Sequence, residues 1–389
     1  MTILLCDPRV ASRPASRPAR AQQPPSGGTG AGPRLGVDLD AVAANVELLA
    51  RRATGELMAV VKADGFGHGA SSVARTALAH GASRLGVATL AEALALRADG
   101  IAAPVLSWLN PLDADFAAAR SHLIELAVPS RSHLDAIAST APGAAVHLHL
   151  DTGLARDGAP VSEWAGLCRA ARRAERLGLV RVTGLMGHLA CADVPGDPAN
   201  AIGRARFGWG VMTARAAGLR PTHRHLAATA ATLTDPLSHH TMCRVGAGLV
   251  GIDPSGSTHL HPALTLTAPL VSVSRVLAGT PVGYGHTWSA PSATALGLLP
   301  LGYADGLPRA ASGRAEVLVG GRRRPLVGAI SMDMAVVDLG PAGPDSPVAG
   351  DDVVVFGPGR AGEPTTAEWA GWADTIEHEI VTRLGARTR

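Results

Sequence analysis

The sequence of 389 residues has almost no lysine: Lys62 is the only one among 35 basic side chains, and arginine supplies the rest. An arginine guanidinium stays protonated, whereas a lysine amine can lose its proton and attack a carbonyl. Compositional bias alone explains one lysine equally well. The surrounding string VVKADGFGHG favours a chemical role, because an apolar, strand-like run delivers the amine to a glycine-rich loop.

Paired cysteines and long apolar runs are also missing. No stretch of about 20 apolar residues is present, so no membrane-spanning helix is expected. The cysteines are widely spaced without a CxxC pair, which favours neither a zinc site nor a disulfide framework and indicates a reducing, cytoplasmic setting. These cysteines are Cys6, Cys168, Cys191 and Cys243.

The positive charge of the chain is confined to its beginning. Residues 1–34 hold five arginines against one acid, and the remaining 30 basic and 31 acidic side chains nearly cancel. The body therefore offers no basic surface for nucleic acid. We expect residues 1–34 to be a disordered tail rich in arginine, proline and alanine, with a transit peptide or an over-long start as alternatives.

Residues 35–262 alternate short apolar runs with amphipathic, alanine-rich segments, which is typical of βα units. Eight such units predict an α/β fold with a (β/α)₈ barrel of the TIM type. The predicted strands lie at about 57–61, 84–88, 104–108, 123–127, 145–150, 181–187, 222–227 and 241–245.

Residues 263–389 change to alternating strands joined by glycine and proline turns, without intervening helices. This pattern predicts a second, β-rich domain after the barrel. A pair of helices is expected at its end, because Thr365 and Glu368 in TTAEWAGW form a capping-box pattern.

Polar side chains accumulate at the carboxyl ends of the predicted barrel strands, the face on which barrel enzymes place their sites. A single such side chain is more often a structural group, so the prediction of a site rests on the convergence of several. They are Lys62, His149, Arg156, His188, His225 and Arg244.

A phosphate anchor is suggested by MCRVGAGLVG, in which a strand end is followed by Gly246 and Gly248. Backbone amides there could bind a phosphate, and a phosphate anchor beside a lone lysine is what pyridoxal 5′-phosphate requires. Tyrosine is the second scarce residue, and both Tyr284 and Tyr303 lie on glycine-flanked turns. A phenol can act as an acid or base, so we expect both at the active site.

These motifs together resemble the alanine racemase family over about residues 35–387. The matching strings are AVVKADGFGHG, HLHLDTGLARDG, GLMGHLA, MCRVGAGLVG, VGYGHTW, LGYADGLPR, GAISMDM and IEHEIVTRLGAR. The resemblance implies interconversion of L-alanine and D-alanine with pyridoxal 5′-phosphate, which supplies D-alanine for peptidoglycan precursors. It implies two catalytic bases, Lys62, which also holds the cofactor, and Tyr284, supplied by the partner subunit of a head-to-tail homodimer.

The resemblance also assigns the remaining site residues. Arg244 would face the pyridine nitrogen of the cofactor, and His188 would support Tyr284. Arg309 would line the entrance with Tyr303. By the same resemblance the cofactor-binding residues are Lys62, Arg156, His188, Thr229, Arg244, Gly246 and Ala247, and the substrate-binding residues are Arg156, Met332 and Tyr303, with no metal.

Four residues depart from the family pattern. Phe66 stands where many members have a phosphate-binding tyrosine, and His149 replaces a lysine, often carbamylated, that fixes the neighbouring arginine. Ala228 replaces an asparagine, and His378 replaces a tyrosine at the entrance. A racemase for serine or another small amino acid therefore stays open. A decarboxylase of the same plan and a non-catalytic carrier of pyridoxal phosphate are weaker alternatives.

Overall fold

The structure is a computed structural model that describes residues 32–385. The predicted tail therefore lies outside the described residues, apart from residues 32–34. The chain begins with β1 (Arg34–Val37), and eight parallel strands follow in the order β8-β7-β6-β5-β4-β3-β2-β9. The eight are β2 (Glu56–Val60), β3 (Arg84–Val87), β4 (Val105–Ser107), β5 (Ile124–Val128), β6 (Ala144–His149), β7 (Val180–Met186), β8 (His223–His225) and β9 (Met242–Val245).

These eight strands form a nearly closed barrel. Between β8 and β9 the gap is bridged by backbone hydrogen bonds, Thr241 N–H to Arg224 O at 3.0 Å and Arg244 N–H to Ala227 O at 3.0 Å. Each predicted strand is present to within about two residues, so the barrel prediction is confirmed. Apolar runs located most of these strands, because both faces of a parallel barrel strand are buried, but β8 consists of His223, Arg224 and His225.

Helices surround the barrel and place their apolar faces on it. In the helix at Val161–Arg176, the side chains buried along one face include those of Trp164, Leu167, Cys168 and Ala171, as a period of 3.6 residues requires. The barrel helices are α1 (Leu39–Arg52), α2 (Ala70–Ala79), α3 (Leu90–Ala98), α4 (Phe116–Ser121), α5 (Arg131–Thr140), α6 (Val161–Arg176), α7 (Pro198–Ala216) and α8 (Thr229–Thr234).

An antiparallel sheet follows, in the order β1-β10-β18-β15-β16-β17-β14-β11. β1 thus joins this sheet although it precedes the barrel in sequence, and the division at about residue 262 stays a proposal. A separate hairpin pairs β12 with β13. The strands are β10 (Leu264–Pro269), β11 (Ser272–Val276), β12 (Pro281–Val282), β13 (Trp288–Ser289), β14 (Thr294–Leu299), β15 (Glu316–Val319), β16 (Arg322–Val327), β17 (Ala335–Gly340) and β18 (Asp352–Phe356).

Two helices, α9 (Thr366–Trp372) and α10 (Glu377–Thr382), complete the described chain. The predicted capping box is present, since the Thr365 side chain accepts from Glu368 N–H and the Glu368 carboxylate accepts from Thr365 N–H. Short 3₁₀ helices lie at Pro236–Ser238, Ala247–Val250, Tyr284–His286, Tyr303–Asp305 and Arg309–Ala311. None of the helices in residues 32–385 combines the length and apolar character needed to span a bilayer.

Candidate active site

A cavity of about 700 Å³ opens at the carboxyl ends of the barrel strands. Lys62 borders it after β2, Gly246 borders it after β9, and His378 reaches it from α10. The predicted residues that line this cavity are Lys62, His149, Arg156, His188, Thr229, Arg244, Gly246 and Ala247. The structure therefore brings together every predicted cofactor-binding residue, while His225 lies beneath the cavity in the barrel core.

Lys62 lies just after β2, with Val61 between them. Val61 continues the path of the strand, because its N–H donates to Gly86 O of the neighbouring strand at 2.9 Å. Burial lowers the pKa of Lys62, and the charges of Arg156 and Arg244 lower it further, while the carboxylate of Glu92 acts in the opposite direction. A less basic amine is more often free to act as a nucleophile or to accept a proton.

The chain turns left-handed immediately after Lys62. Ala63, Asp64, Gly65 and Phe66 all have positive φ, between 50° and 61°. Three of these four residues carry a Cβ, and each is disfavoured in this conformation by about 1–2 kcal/mol. Such a turn persists only where its surroundings hold it in place.

Two glycines allow close packing around this turn. A Cβ at Gly67 would lie 2.2 Å from Val381 O, so glycine lets α10 approach the turn. A Cβ at Gly246 would lie 2.7 Å from the ring of Phe66, so glycine lets this ring cover the loop after β9. Phe66 and His378 also face each other, with ring centroids 6.0 Å apart.

Arg244 is buried, and no carboxylate of the described residues lies within ion-pair distance of it. Its guanidinium instead donates to His225 O at 2.8 Å, to Gly187 O at 2.8 Å and to ring nitrogens of His225 and His188 at 2.9 and 3.2 Å. Burial lowers the pKa of Arg244 to about 10, which still leaves it protonated at neutral pH. It is a fixed cation at the base of the cavity.

Both histidines that contact Arg244 are neutral. Burial, followed by the charges of Arg244 and Arg156, lowers the pKa of His188 to about 3. Burial and the charge of Arg244 also lower the pKa of His225 well below its usual range. Because a guanidinium only donates, Nδ1 of each ring accepts from Arg244 and its proton lies on Nε2.

A chain of hydrogen bonds runs from Arg244 into the barrel core. His225 Nε2–H donates to His147 Nδ1 at 2.8 Å, so the proton of His147 lies on Nε2, 3.1 Å from an oxygen of Glu125. Glu125 also pairs with Arg84. Burial acts to raise the pKa of Glu125, yet contacts with His147 and Arg84 hold it at about 2.

Glu125→Gln is expected to lower the free energy of unfolding at pH 7 by about 2–4 kcal/mol, because it leaves Arg84 without its buried partner. The folded-state pKa of Glu125 lies below the unfolded value of about 4.3, so its stabilisation is complete above pH of about 5 and is lost as pH falls towards about 2. The parent and the variant should therefore converge in acid.

Urea unfolding followed by circular dichroism from pH 7 to pH 3 measures this difference. Glu47→Gln, at an exposed glutamate that contacts His80, is the matched control and should change stability by less than about 0.5 kcal/mol. A Glu125→Gln deficit that stayed constant from pH 7 to pH 3 would contradict the assigned ionisation.

His149, the last residue of β6, lies with its Nδ1 3.3 Å from Asp157 Oδ2. His149 Nδ1 has no hydrogen-bond partner among the described residues, so this contact is a close polar pair. Burial acts to raise the pKa of Asp157, but contact with His149 lowers it overall. The Asp151 carboxylate also holds the loop by accepting the N–H groups of three successive residues, and Ala155 has a φ of +52° just before Arg156.

Thr229 opens α8 beside the glycine loop. Its hydroxyl oxygen accepts from Gly246 N–H and Gly248 N–H, each at 3.3 Å, and the residue is buried. The predicted phosphate-binding residues Thr229, Gly246 and Ala247 are therefore neighbours at the edge of the cavity. The strand end after β9 and the start of α8 form this corner.

Besides Arg309, which is exposed in the 3₁₀ helix Arg309–Ala311, three predicted residues lie outside the cavity of their own chain. Tyr284 is 75% exposed at the tip of the β12–β13 hairpin, Tyr303 is 41% exposed and Met332 is 53% exposed. Tyr303 and Met332 belong to adjoining segments, because Tyr303 N–H donates to Ser331 O and Ala304 N–H donates to Met332 O, each at 3.0 Å. None of the three lines the barrel cavity.

Several residues around the site were not predicted from the sequence. Asp157 contacts His149, and Glu92 binds the backbone beside Lys62. His147 and Glu125 continue the hydrogen bonds of Arg244. A signal did exist for two of them: His147 is two residues before His149 and so shares its face of β6, and Glu125 interrupts an otherwise apolar strand.

Two family models match the chain in succession. Residues 37–254 match the model "Alanine racemase, N-terminal domain", and residues 263–389 match "Alanine racemase, C-terminal domain". Curated relatives agree. The chain is 45% identical to an alanine racemase of Thermobifida fusca over 359 residues, covering 90% of this chain and 95% of the relative. It is 46% identical to one of Mycobacterium tuberculosis over 354 residues, covering 89% and 92%.

Solved structures give the same result. An alanine racemase from Streptomyces coelicolor A3(2) superposes with a TM-score of 0.88 at 44% identity, over 92% of this chain and 96% of that one. An alanine racemase from Bartonella henselae, described with covalently bound pyridoxal phosphate, superposes with a TM-score of 0.82 at 26% identity, over 92% and 99%.

Proposed function

Because this chain belongs to the alanine racemase family and interconverts L-alanine and D-alanine, we propose that its barrel cavity binds pyridoxal 5′-phosphate covalently through Lys62. The observation that carries this proposal is the position of the chain's single lysine, at the mouth of the barrel and opposite a glycine loop. The Bartonella structure carries the same cofactor in covalent form.

The residues around the cavity fit this cofactor. Its volume of about 700 Å³ is in the range of ordinary cofactor pockets. Lys62 supplies an amine for the aldehyde, Thr229, Gly246 and Ala247 lie where a phosphate would be held, and Arg244 supplies a fixed cation. Phe66 offers no hydroxyl to the phosphate, so the hold on the phosphate depends on the remaining groups.

When bound, pyridoxal phosphate withdraws electrons from the substrate α-carbon and so makes its C–H bond acidic. Racemisation removes the α-proton from one face and returns a proton to the other, which requires two bases. We propose Lys62 Nζ for one face and Tyr284 Oη for the other. Burial makes Lys62 less basic and favours this exchange of protons.

Arg244 would face the pyridine nitrogen. Since its pKa of about 10 keeps it protonated, it gives up no proton to that nitrogen, and the ring stays a weaker electron sink. A weaker sink limits side reactions such as transamination. Arg156 would bind the substrate carboxylate, with the loop that Asp151 and Asp157 hold as its support.

We further propose a head-to-tail homodimer in which Tyr284, Tyr303 and Met332 enter the cavity of the partner subunit. The exposure of Tyr284 on the β12–β13 hairpin supports this arrangement, because a catalytic phenol needs a protein environment around it.

A cytoplasmic location is supported by the free thiols of Cys168, Cys191 and Cys243. Supply of D-alanine for peptidoglycan precursors stays a prediction.

Alanine is expected to exceed serine by roughly tenfold to a hundredfold in kcat/KM, since a pocket that fits a methyl group discriminates against an added hydroxyl by about this much. Loss of optical activity, measured over a panel of L-amino acids, tests this preference. Ala228 and His378 are the residues that favour a broader range. Turnover of serine equal to that of alanine would overturn the preference for alanine.

A further inference from the structure

We propose that Glu92 is a positioning residue for Lys62: its carboxylate fixes the left-handed turn that follows the lysine and places a negative charge near the amine. The inference extends the proposed role of Lys62 in proton transfer and rests on it. Glu92 itself does not line the cavity, so it acts through the turn and through its charge.

The contact that connects Glu92 to the lysine is short and direct. Glu92 Oε1 accepts from Ala63 N–H at 2.8 Å, and Ala63 is the residue that follows Lys62 and begins the left-handed turn. Farther along, Gly65 N–H donates to Val61 O at 2.9 Å, and Asp64 Oδ1 accepts from Ala70 N–H at 2.8 Å. Among these three hydrogen bonds, the one to Glu92 comes from another βα unit.

The carboxylate is itself held rigidly. Glu92 lies in the first turn of α3, where its Oε2 accepts from Ala88 N–H at 2.9 Å and Thr89 N–H at 3.0 Å. The Thr89 hydroxyl in return accepts from Glu92 N–H at 3.2 Å, which completes a capping box. One carboxylate therefore joins the connection after β3 to the turn after β2, and both of its oxygens are used.

Charge gives Glu92 a second effect. The charges that act on Lys62 are those of two cations, Arg156 and Arg244, and of the Glu92 carboxylate, and the rings of His188 and His378 lie nearby. Glu92 is the acid whose charge favours the ammonium form of Lys62 in this environment. Without it, a proton received by the amine would be held less well against the positive charges of Arg156 and Arg244.

A helix cap alone would also explain Glu92, and Thr89→Ala separates the two roles. That variant removes the other half of the capping box but leaves Ala63 N–H and the Glu92 charge in place. Glu92→Gln keeps an acceptor oxygen and removes the charge, and Glu92→Ala removes both. A role in capping alone requires Thr89→Ala and Glu92→Ala to behave alike.

Because Lys62 is the only lysine of the chain, a labelled lysine signal can be assigned to it directly. In the full-length chain freed of its cofactor, ¹³C-labelled lysine gives one side-chain resonance, whose pH titration reports Lys62. Glu92→Gln and Glu92→Ala are expected to titrate at lower pH than the parent, and Thr89→Ala at the parental pH. With cofactor bound, Glu92→Ala is expected to lower kcat on the order of tenfold to a hundredfold, against about twofold or less for Thr89→Ala.

An unshifted Lys62 titration in Glu92→Gln would overturn the proposal, as would an equal shift in Thr89→Ala. If Glu92→Ala fails to fold, Glu92→Gln still decides the outcome. The proposed function is tested separately by replacing Lys62 itself. If only the Glu92 role is wrong, the Lys62 variant is still inactive. If the proposed function is wrong, the Lys62 variant stays active.

Discussion

Lys62→Arg is expected to lower racemase activity by at least roughly 10⁴-fold and to remove the visible absorbance of the bound cofactor that borohydride reduces. Arginine keeps the positive charge on a slightly longer side chain, but a guanidinium can neither bond to the cofactor aldehyde nor give up a proton at neutral pH. The variant therefore separates the chemistry of an amine from the mere presence of a cation.

Spectra of purified parent and variant, before and after borohydride, measure this effect. Because Lys62 is the only lysine of the chain, a reduced cofactor found on a lysine-containing peptide identifies it without ambiguity. Arg52→Lys, which places an amine on the exposed end of α1, is the matched control and should behave as the parent does. A reducible band that persisted in Lys62→Arg would contradict the proposed attachment.

Tyr284→Phe is expected to keep the reducible absorbance and to lower racemisation by roughly 10²- to 10⁴-fold, because it removes only the phenolic oxygen that serves one face. Lys62 still serves the other face. The variant should therefore exchange the α-proton of one alanine enantiomer with deuterated solvent while forming little of the opposite enantiomer. Polarimetry and proton NMR in D₂O measure the two rates.

Tyr303→Phe deletes the same atom from the other tyrosine of the chain and serves as the control. Since Tyr303 is proposed to contact substrate and not to transfer a proton, its loss should be smaller and should fall mainly on KM. A Tyr284→Phe variant as active as the parent would refute the two-base mechanism. A non-catalytic carrier would also be unaffected, but family membership and the complete β-rich part argue against one.

Most barrel strands were predictable because burial on both faces leaves a continuous apolar run in the sequence. The path of β1 was not. Its four residues form an edge of the second sheet by pairing with β10, from Arg34 opposite Thr267 to Val37 opposite Leu264. Such a pairing joins segments more than 200 residues apart and leaves no local periodicity from which it could be inferred.

The residues of the site also divide into those that the sequence predicted and those that it did not. Scarcity and position identified Lys62 and Tyr284, while the supports of the site depend on contacts between distant elements. Glu92 binds the amide of Ala63, 29 residues away, and His147 bonds to His225, 78 residues away. A left-handed turn with three non-glycine residues also contradicts local preference, and only its surroundings explain it.

The departures from the family pattern acquire physical meaning in the structure. Phe66 packs against Gly246 and His378, so the lost hydroxyl is replaced by apolar contact at this corner. His149 lies beside Asp157 in place of the usual lysine, which ties the loop that carries Arg156 to β6. Neither change touches the amine of Lys62 or the contacts of Arg244.

The central claim is that each active site combines Lys62 of one subunit with Tyr284 of its partner. The most direct measurement mixes the inactive Lys62→Arg and Tyr284→Phe chains, lets subunits exchange and assays racemisation. When equal amounts of the two chains exchange freely between symmetric dimers, half of all dimers are hybrids. Each hybrid has one site with both intact residues. Activity should return to about one quarter of the parental value. Exchanged hybrids that stayed inactive would show that Tyr284 is not supplied by the partner, and would contradict the claim.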